Sequence, residues 1–541
     1  MPARPRLSER CLARLHFVDG RCRVMLHDVE TGDVIEIGPR EWVLLAGADG
    51  TRDVEGLRLN ATRDGVEVTR EALTELLESA HRAGMLDGGP APRRRHEAEH
   101  HEHPHHEHPH HEHAHHEHVH AHAHHEHGQA HHEHAHTEHD QKRYEGAEAR
   151  PIVRLPGYAF HCDGHGSCCQ LYATVVFSPL EAARARSVRP DILDAGDRHE
   201  HAFMPERGAG PCAGSAVALV DGRCAYLDGA LCSLHKAAGP ASKPLGCNLF
   251  PLALVDDGTR VRASVAVECA CVLASLTKPG GAPILAEDLR VRGDLDPAIV
   301  VDELPREVTI AGDVRAKIAD YLAWSDAALA ALDPAADPAR DGSGAAADPA
   351  RGGFDAADPA LAAWALADAI EAHGLDVGRA AAVIRDAPLV DEARAARWLA
   401  ALSAKASRRA KAQNAWRSPK DLCRRGVSIV AAAASLLSDP DVLAAVAAGA
   451  GAAPLDEAFY LRVALFGHQM VGYPLAVALR DRAVAIWVAR AFALAAEALY
   501  PGEEEPAFEH PLALVEALLR GHGLRRYTDD VAREHGGPAA S

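Results

Sequence analysis

Three short stretches carry thiols and imidazoles at spacings that suit metal ligation. Residues 160–170 read F-H-C-D-G-H-G-S-C-C-Q, a C-x2-H-x2-C-C motif made by Cys162, His165, Cys168 and Cys169. Residues 224–251 contribute Cys224, Cys232, His235 and Cys247, and the later V-E-C-A-C adds Cys269 and Cys271. Thiolates are strong soft ligands and imidazole takes the same borderline ions, so these stretches are expected to fold around a metal ion or an iron–sulfur cluster. Gly164 and Gly166 let the backbone curl until several side chains converge. A cysteine on its own is usually a small buried apolar residue. The clustering and the histidine partners favour ligation for the set.

The donors outnumber one site. A structural zinc takes four ligands, and so does an ordinary four-iron cluster. Either two sites exist, or some of these residues only line the first. The adjacent Cys168 and Cys169 are hard to aim at one ion, so one of them packs or serves a second site. Histidine at 165 makes the set mixed in sulfur and nitrogen, which favours zinc over an all-thiolate cluster. In a cluster it would raise the reduction potential. His161 reads as a ligand or as an outer partner of one, and Cys212 in G-A-G-P-C-A-G as a weaker candidate. Cys11, Cys22 and Cys423 lie outside the motifs and read as ordinary cysteines.

The first motif resembles the YkgJ-type cysteine-cluster domain, described as zinc- or iron-chelating. That family's pattern is C-x2-C-x2-C-C, so His165 stands where its second cysteine would be. The later block, with Cys224, Leu227, Cys232, His235, Pro244, Cys247, Phe250 and Pro251, is similar to the family's second string, with Asn248 in place of its usual arginine. The long gap from Leu234 to Cys247 and the trailing Cys269 and Cys271 resemble the flagellin lysine N-methylase (FliB) branch. The resemblance covers residues 155–275. It implies a bound metal or iron–sulfur cluster, and for that branch methyl transfer from S-adenosylmethionine to a protein lysine. No P-loop and no G-x-G-x-x-G opening a helix after a strand is present, and no S-adenosylmethionine site is visible.

The elements that must position these donors suggest a multidomain α+β protein. Residues 1–90 are expected to form a small winged-helix-like module. Its strands are Arg23–Leu26 and Val34–Ile37, with D-V-E-T-G-D between them. A short helix over 41–46 stops at Asp49-Gly50. A second helix starts at the N-cap Thr69, puts Leu73, Leu76, Leu77 and Ala80 on one face and stops at Gly84. Residues 38–57 and the closing A-G-M-L-D resemble a PqqD-type peptide-recognition domain, which implies a peptide or protein substrate held by β-augmentation. The plainer reading is an accessory or dimerising domain.

Residues 91–148 read as a disordered linker. Roughly two-thirds of the 36 histidines fall between His96 and His139, in repeats such as H-H-E-H-P with no apolar periodicity. Neutral imidazoles bind divalent Zn, Ni, Co or Cu, so the tract is a loose metal buffer or merely a spacer. An irregular cysteine-rich metal domain is expected over 149–305, a connecting helix over 306–332, a flexible Pro/Gly/Asp linker over 333–358 and a mainly α-helical domain over 359–541. In that last domain the basic run 405–417 is a partner contact or a solvated helix face. Phe459, Tyr460, Phe466, His468, Gln469, Met470 and Tyr473 are core aromatics and their neighbours, or the lining of a pocket.

Composition narrows the classes. The chain has 541 residues, 47% of them hydrophobic and only 5% aromatic, which fits several largely aliphatic, helical cores. A net charge of -20 argues against non-specific nucleic-acid binding and against an anionic membrane surface. The first twenty residues contain no continuous apolar run, and no stretch is long and clean enough to span a bilayer. The expected location is the cytosol, where twelve cysteines are ligands before they are disulfides. Two functions follow. One is a metal- or cluster-binding protein, and the other is an S-adenosylmethionine-dependent methylase of a peptide or protein lysine.

Overall fold

The computed structural model describes residues 2–8, 11–18, 21–28, 34–63, 66–87, 147–171, 175–188, 203–205, 215–220, 223–332, 358–385, 392–414, 422–502 and 508–521. The histidine tract 96–139, Cys212 and the Pro/Gly/Asp stretch 333–357 lie outside them. The fold is mixed α+β with a helical C-terminal region. The chain divides into two compact units. The first comprises residues 1–124, 172–244 and 411–424, and the second 125–171, 245–410 and 425–541. The cysteine-rich stretch 149–305 is therefore shared between both units.

The first unit is built on a sheet with strand order β3-β2-β1-β8-β9. Strands β1 (Cys11–Val18) and β2 (Arg21–Asp28) pair antiparallel from Cys11 opposite Asp28 to Val18 opposite Arg21. The two residues between them are Asp19 and Gly20, a pair that two-residue hairpin loops favour. Strand β3 (Val34–Ile37) pairs with β2, Leu26 opposite Ile35, which is the hairpin expected from the sequence. Strand β8 (Leu219–Val220) joins the free side of β1 in parallel, and β9 (Arg223–Cys224) follows it.

Helices α1 (Pro39–Ala46), α2 (Val54–Arg63) and α3 (Arg70–Arg82) come next in the chain. In α3 the Thr69 hydroxyl accepts from the Ala72 N–H at 3.2 Å, and Leu73, Leu77 and Ala80 are buried. Gly84 (φ 73°) follows the helix. The core is not closed by the first 90 residues alone. Leu26, Trp42, Leu57, Leu73 and Leu77 share one cluster with Phe177, Phe203, Val217, Tyr226 and Leu234.

The second unit contains a four-stranded sheet in which β14 (Asp302–Glu303), β12, β13 and β4 (Ile152–Arg154) lie side by side in that order. Strands β12 (Leu252–Asp256) and β13 (Val261–Val265) form a hairpin. Asp257 builds its turn, its Oδ1 accepting from Thr259 N–H, Thr259 Oγ1 and Arg260 N–H. A second hairpin, β15 (Glu307–Ala311) with β16 (Val314–Lys317), precedes the helices.

In the helical region the central helix Leu475–Leu499 is buried over most of its length. Its buried arginines are all paired: Arg480 with Asp368 and Glu371, Arg482 with Glu516 and Tyr460, and Arg490 with Glu457 and Asp358. Phe459, Tyr460, Phe466 and Met470 lie in the core. Residues 405–414 of the basic run lie on the helix Glu392–Asn414. No single helix among the described residues is long and apolar enough to cross a membrane.

Candidate metal centre

Two strand pairings bring distant thiols to one place in the second unit. Strand β4 (Ile152–Arg154) runs parallel to β13, Ile152 opposite Val261 and Arg154 opposite Ala263, so the chain leaves both strands at the same end. Strand β12 is antiparallel to β13, Leu252 opposite Val265, so the chain enters it at that end too. Three segments emerge together. Residues 155–171 hold Cys162, His165, Cys168 and Cys169, residues 245–251 hold Cys247, and residues 266–274 hold Cys269 and Cys271. Backbone bonds Leu155 N–H to Ala263 O (3.0 Å) and Ala266 N–H to Pro251 O (2.7 Å) extend the pairing towards them.

Local chemistry shapes each segment. Phe160 and Ala282 exchange backbone bonds of 2.7 and 2.9 Å. A Cβ at Gly281 would lie 2.9 Å from the Ala159 carbonyl carbon, so glycine permits that approach. Gly164 (φ 73°) and Gly166 (φ 69°) take the left-handed conformation and fold the loop back on itself, as their spacing predicts. Helix α4 (Ser167–Leu171) then carries Cys168 and Cys169, both half-buried. Cys269 N-caps the short helix Ala270–Ala274. Ser275 clasps loop to helix: its hydroxyl accepts from the His161 N–H at 2.9 Å and donates to the Cys271 carbonyl at 2.5 Å. The Tyr158 hydroxyl adds a bond to the Val272 carbonyl at 3.2 Å.

The donors meet at Cys271. Its Sγ lies 3.6 Å from His165 Nε2. It also hydrogen-bonds with Cys162, from the loop, and with Cys269. The Cys162 bond favours the thiolate, but the Cys269 bond and burial outweigh it, and the Cys271 thiol is pushed up to about 11. Loading a cation would therefore expel a proton from this sulfur. Burial, with the nearby Cys269 and Cys271 adding to it, holds the Tyr158 hydroxyl above the usual tyrosine range.

Counting cysteines and histidines alone overlooks one donor. Asp163, His165 and Cys271 offer ligand atoms that all lie within 4.8 Å of one another. Burial raises the Asp163 carboxyl, but its ion pair with Lys278 and the neighbouring His165 and His161 hold it below the ordinary carboxylate range. His161 Nε2 stands 3.6 Å from Asp163 Oδ1, which places it beside a donor. The signal was in the motif itself, since carboxylate oxygen is an accepted zinc ligand and Asp163 sits between Cys162 and His165.

The remaining candidates are placed differently. Cys247 is half-buried on the helix Leu245–Leu249 of the same unit. Cys224, Cys232 and His235 belong to the first unit. Cys224 lies in β9 opposite Leu219, and Cys232 opposite Leu227 in the two-stranded ribbon of β10 (Leu227–Asp228) and β11 (Leu231–Cys232). Both pack against that unit's apolar core, while His235 is exposed. Between them in sequence, Tyr226 has its hydroxyl raised by burial first, with both thiols adding. Cys11 and Cys423 are buried.

No protein-family model matches this chain, and neither a curated protein nor a solved structure is detectably similar to it.

Proposed function

We propose that the chain is a metal-binding protein of the YkgJ cysteine-cluster kind. Its centre, in the second unit, takes zinc through Asp163, His165 and Cys271, with Cys162 or Cys269 as the fourth ligand. One observation carries this reading: the 3.6 Å between His165 Nε2 and Cys271 Sγ. A tetrahedral zinc with Zn–S of about 2.3 Å and Zn–N of about 2.0–2.1 Å has a sulfur–nitrogen edge of about 3.6 Å. The mixed sulfur, nitrogen and oxygen donors also favour zinc over a cluster, which prefers thiolates throughout. The histidine tract 96–139 would hold further divalent ions loosely. Reduced thiols of this kind suit the cytosol.

The test is anaerobic purification followed by an absorption spectrum and zinc, iron and sulfide analysis. Stoichiometric zinc in a colourless protein is expected. A brown protein with iron and sulfide would replace zinc by a cluster, and a preparation with no metal would end the reading.

One observation favours a second reading, that of a FliB-like lysine N-methylase with a winged-helix-like, PqqD-like front module. Strand β3 is the outer strand of its sheet, while the other side of the hairpin is filled by β8. A peptide or protein substrate joining by β-augmentation would add to β3. Retention of labelled S-adenosylmethionine discriminates this reading, and no retention at high concentration would remove it.

A further inference from the structure

The sequence offers no chemistry for the last described helix, Pro511–Gly521, yet this helix packs against two of the cysteine-bearing helices, Ser167–Leu171 and Ala270–Ala274. Arg520, near its end, reaches Glu268 with Nη1 2.7 Å from Oε1. Glu268 directly precedes Cys269, and its side chain is only 8% exposed. Residues on and just after the helix Pro454–Phe466 hold neighbouring pieces of the same scaffold. Arg462 donates to the Pro156 carbonyl at 2.8 Å, Gln469 Nε2 donates to the Val265 carbonyl at 2.8 Å, and Phe459 lies against Tyr158.

We propose that Arg520 is a positioning residue of the metal centre: through Glu268 it fixes the Cys269–Cys271 turn against the Cys162–His165 loop. This rests on the metal reading above. A buried carboxylate has one favourable orientation while a guanidinium answers it, and the backbone of the next residue follows. Outer partners of this kind typically set metal affinity by about 10–100-fold.

The experiment uses the full chain loaded with Co(II) under a competing chelator, read by the thiolate-to-cobalt charge-transfer band, which the histidine tract cannot produce. Arg520→Ala is expected to weaken cobalt binding at this band by about 10–100-fold and to alter the d–d envelope, with Arg520→Lys recovering most of the loss. Because Arg520→Ala strands a buried carboxylate, the double variant Arg520→Ala with Glu268→Gln is measured beside it. The double variant should fold, by circular dichroism, and still bind weakly. Affinity and spectrum unchanged in both variants would overturn the positioning role and leave the metal reading intact. No thiolate band in the unsubstituted protein would overturn both.

Discussion

Replacing His165 by alanine removes one vertex of the proposed tetrahedron without touching the strand pairings that assemble it. The side chain is only partly buried, and its ring nitrogen meets Cys271 Sγ at 3.6 Å. Apparent binding energies of structural zinc run to about 10–16 kcal/mol over four ligands, so losing one costs about 3 kcal/mol, on the order of a hundredfold in affinity. The loss is partial because a water can fill the vertex while Asp163 and Cys271 remain. The assay is a Co(II) titration against a chromophoric chelator, with the thiolate charge-transfer band separating thiolate ligation from binding by the histidine tract. His165→Cys should keep the metal and intensify that band, since a thiolate then occupies the vertex. If His165→Ala binds cobalt with the affinity and spectrum of the unchanged protein, the imidazole is not a ligand and the geometric argument fails.

Arg490→Met should destabilise the second unit by about 3–5 kcal/mol in urea unfolding, because it leaves the buried Glu457 and its neighbour Asp358 without their guanidinium; an unchanged midpoint would refute that. Stability should fall as pH drops below about 6.5, first through His468 and then, below about 4, through Asp257. Burial would raise the Asp257 carboxyl, but His468, Thr259 and the turn backbone hold it well below its ordinary value, and burial holds His468 below 6.5. Both groups have folded pKa values below their unfolded ones. Their contributions are therefore complete above the unfolded values, about 3.9 for Asp and 6.5 for His, and are lost as pH falls through the folded ones. His468→Gln should flatten the profile between pH 5 and 6.5, and an identical slope would count against this. Deleting residues 96–139 should leave the tightly bound metal in place, checked by metal analysis of the purified deletion, and loss of that metal would shift the site to the histidine tract.

Several elements were legible because their causes are local. Helix α3 could be read from Thr69, the leucine spacing and Gly84, and the bend of the metal loop from Gly164 and Gly166. The β2–β3 hairpin was legible from its apolar runs. Strand β1 is not evident in the sequence, although Asp-Gly follows it, because Arg14 and His16 break up the apolar pattern. The pairing of β1 with β8 joins residues some two hundred positions apart, a distance at which no residue carries a signal for its partner. Asp163 was missed for a different reason, since a carboxylate in a loop is usually a surface charge and becomes a donor only beside a sulfur and an imidazole.

The residue types alone settle the chemistry on offer: soft sulfur, borderline nitrogen and glycines that let a loop curl. They do not settle which donors share a site. That follows from β4 lying parallel to β13 and from the β12–β13 hairpin, which set Cys162, His165, Cys269 and Cys271 at one end of a sheet, while Cys224 and Cys232 pack on the core of the first unit. Ligation depends on distances of a few ångströms, and only long-range strand pairing fixes such distances between segments a hundred residues apart.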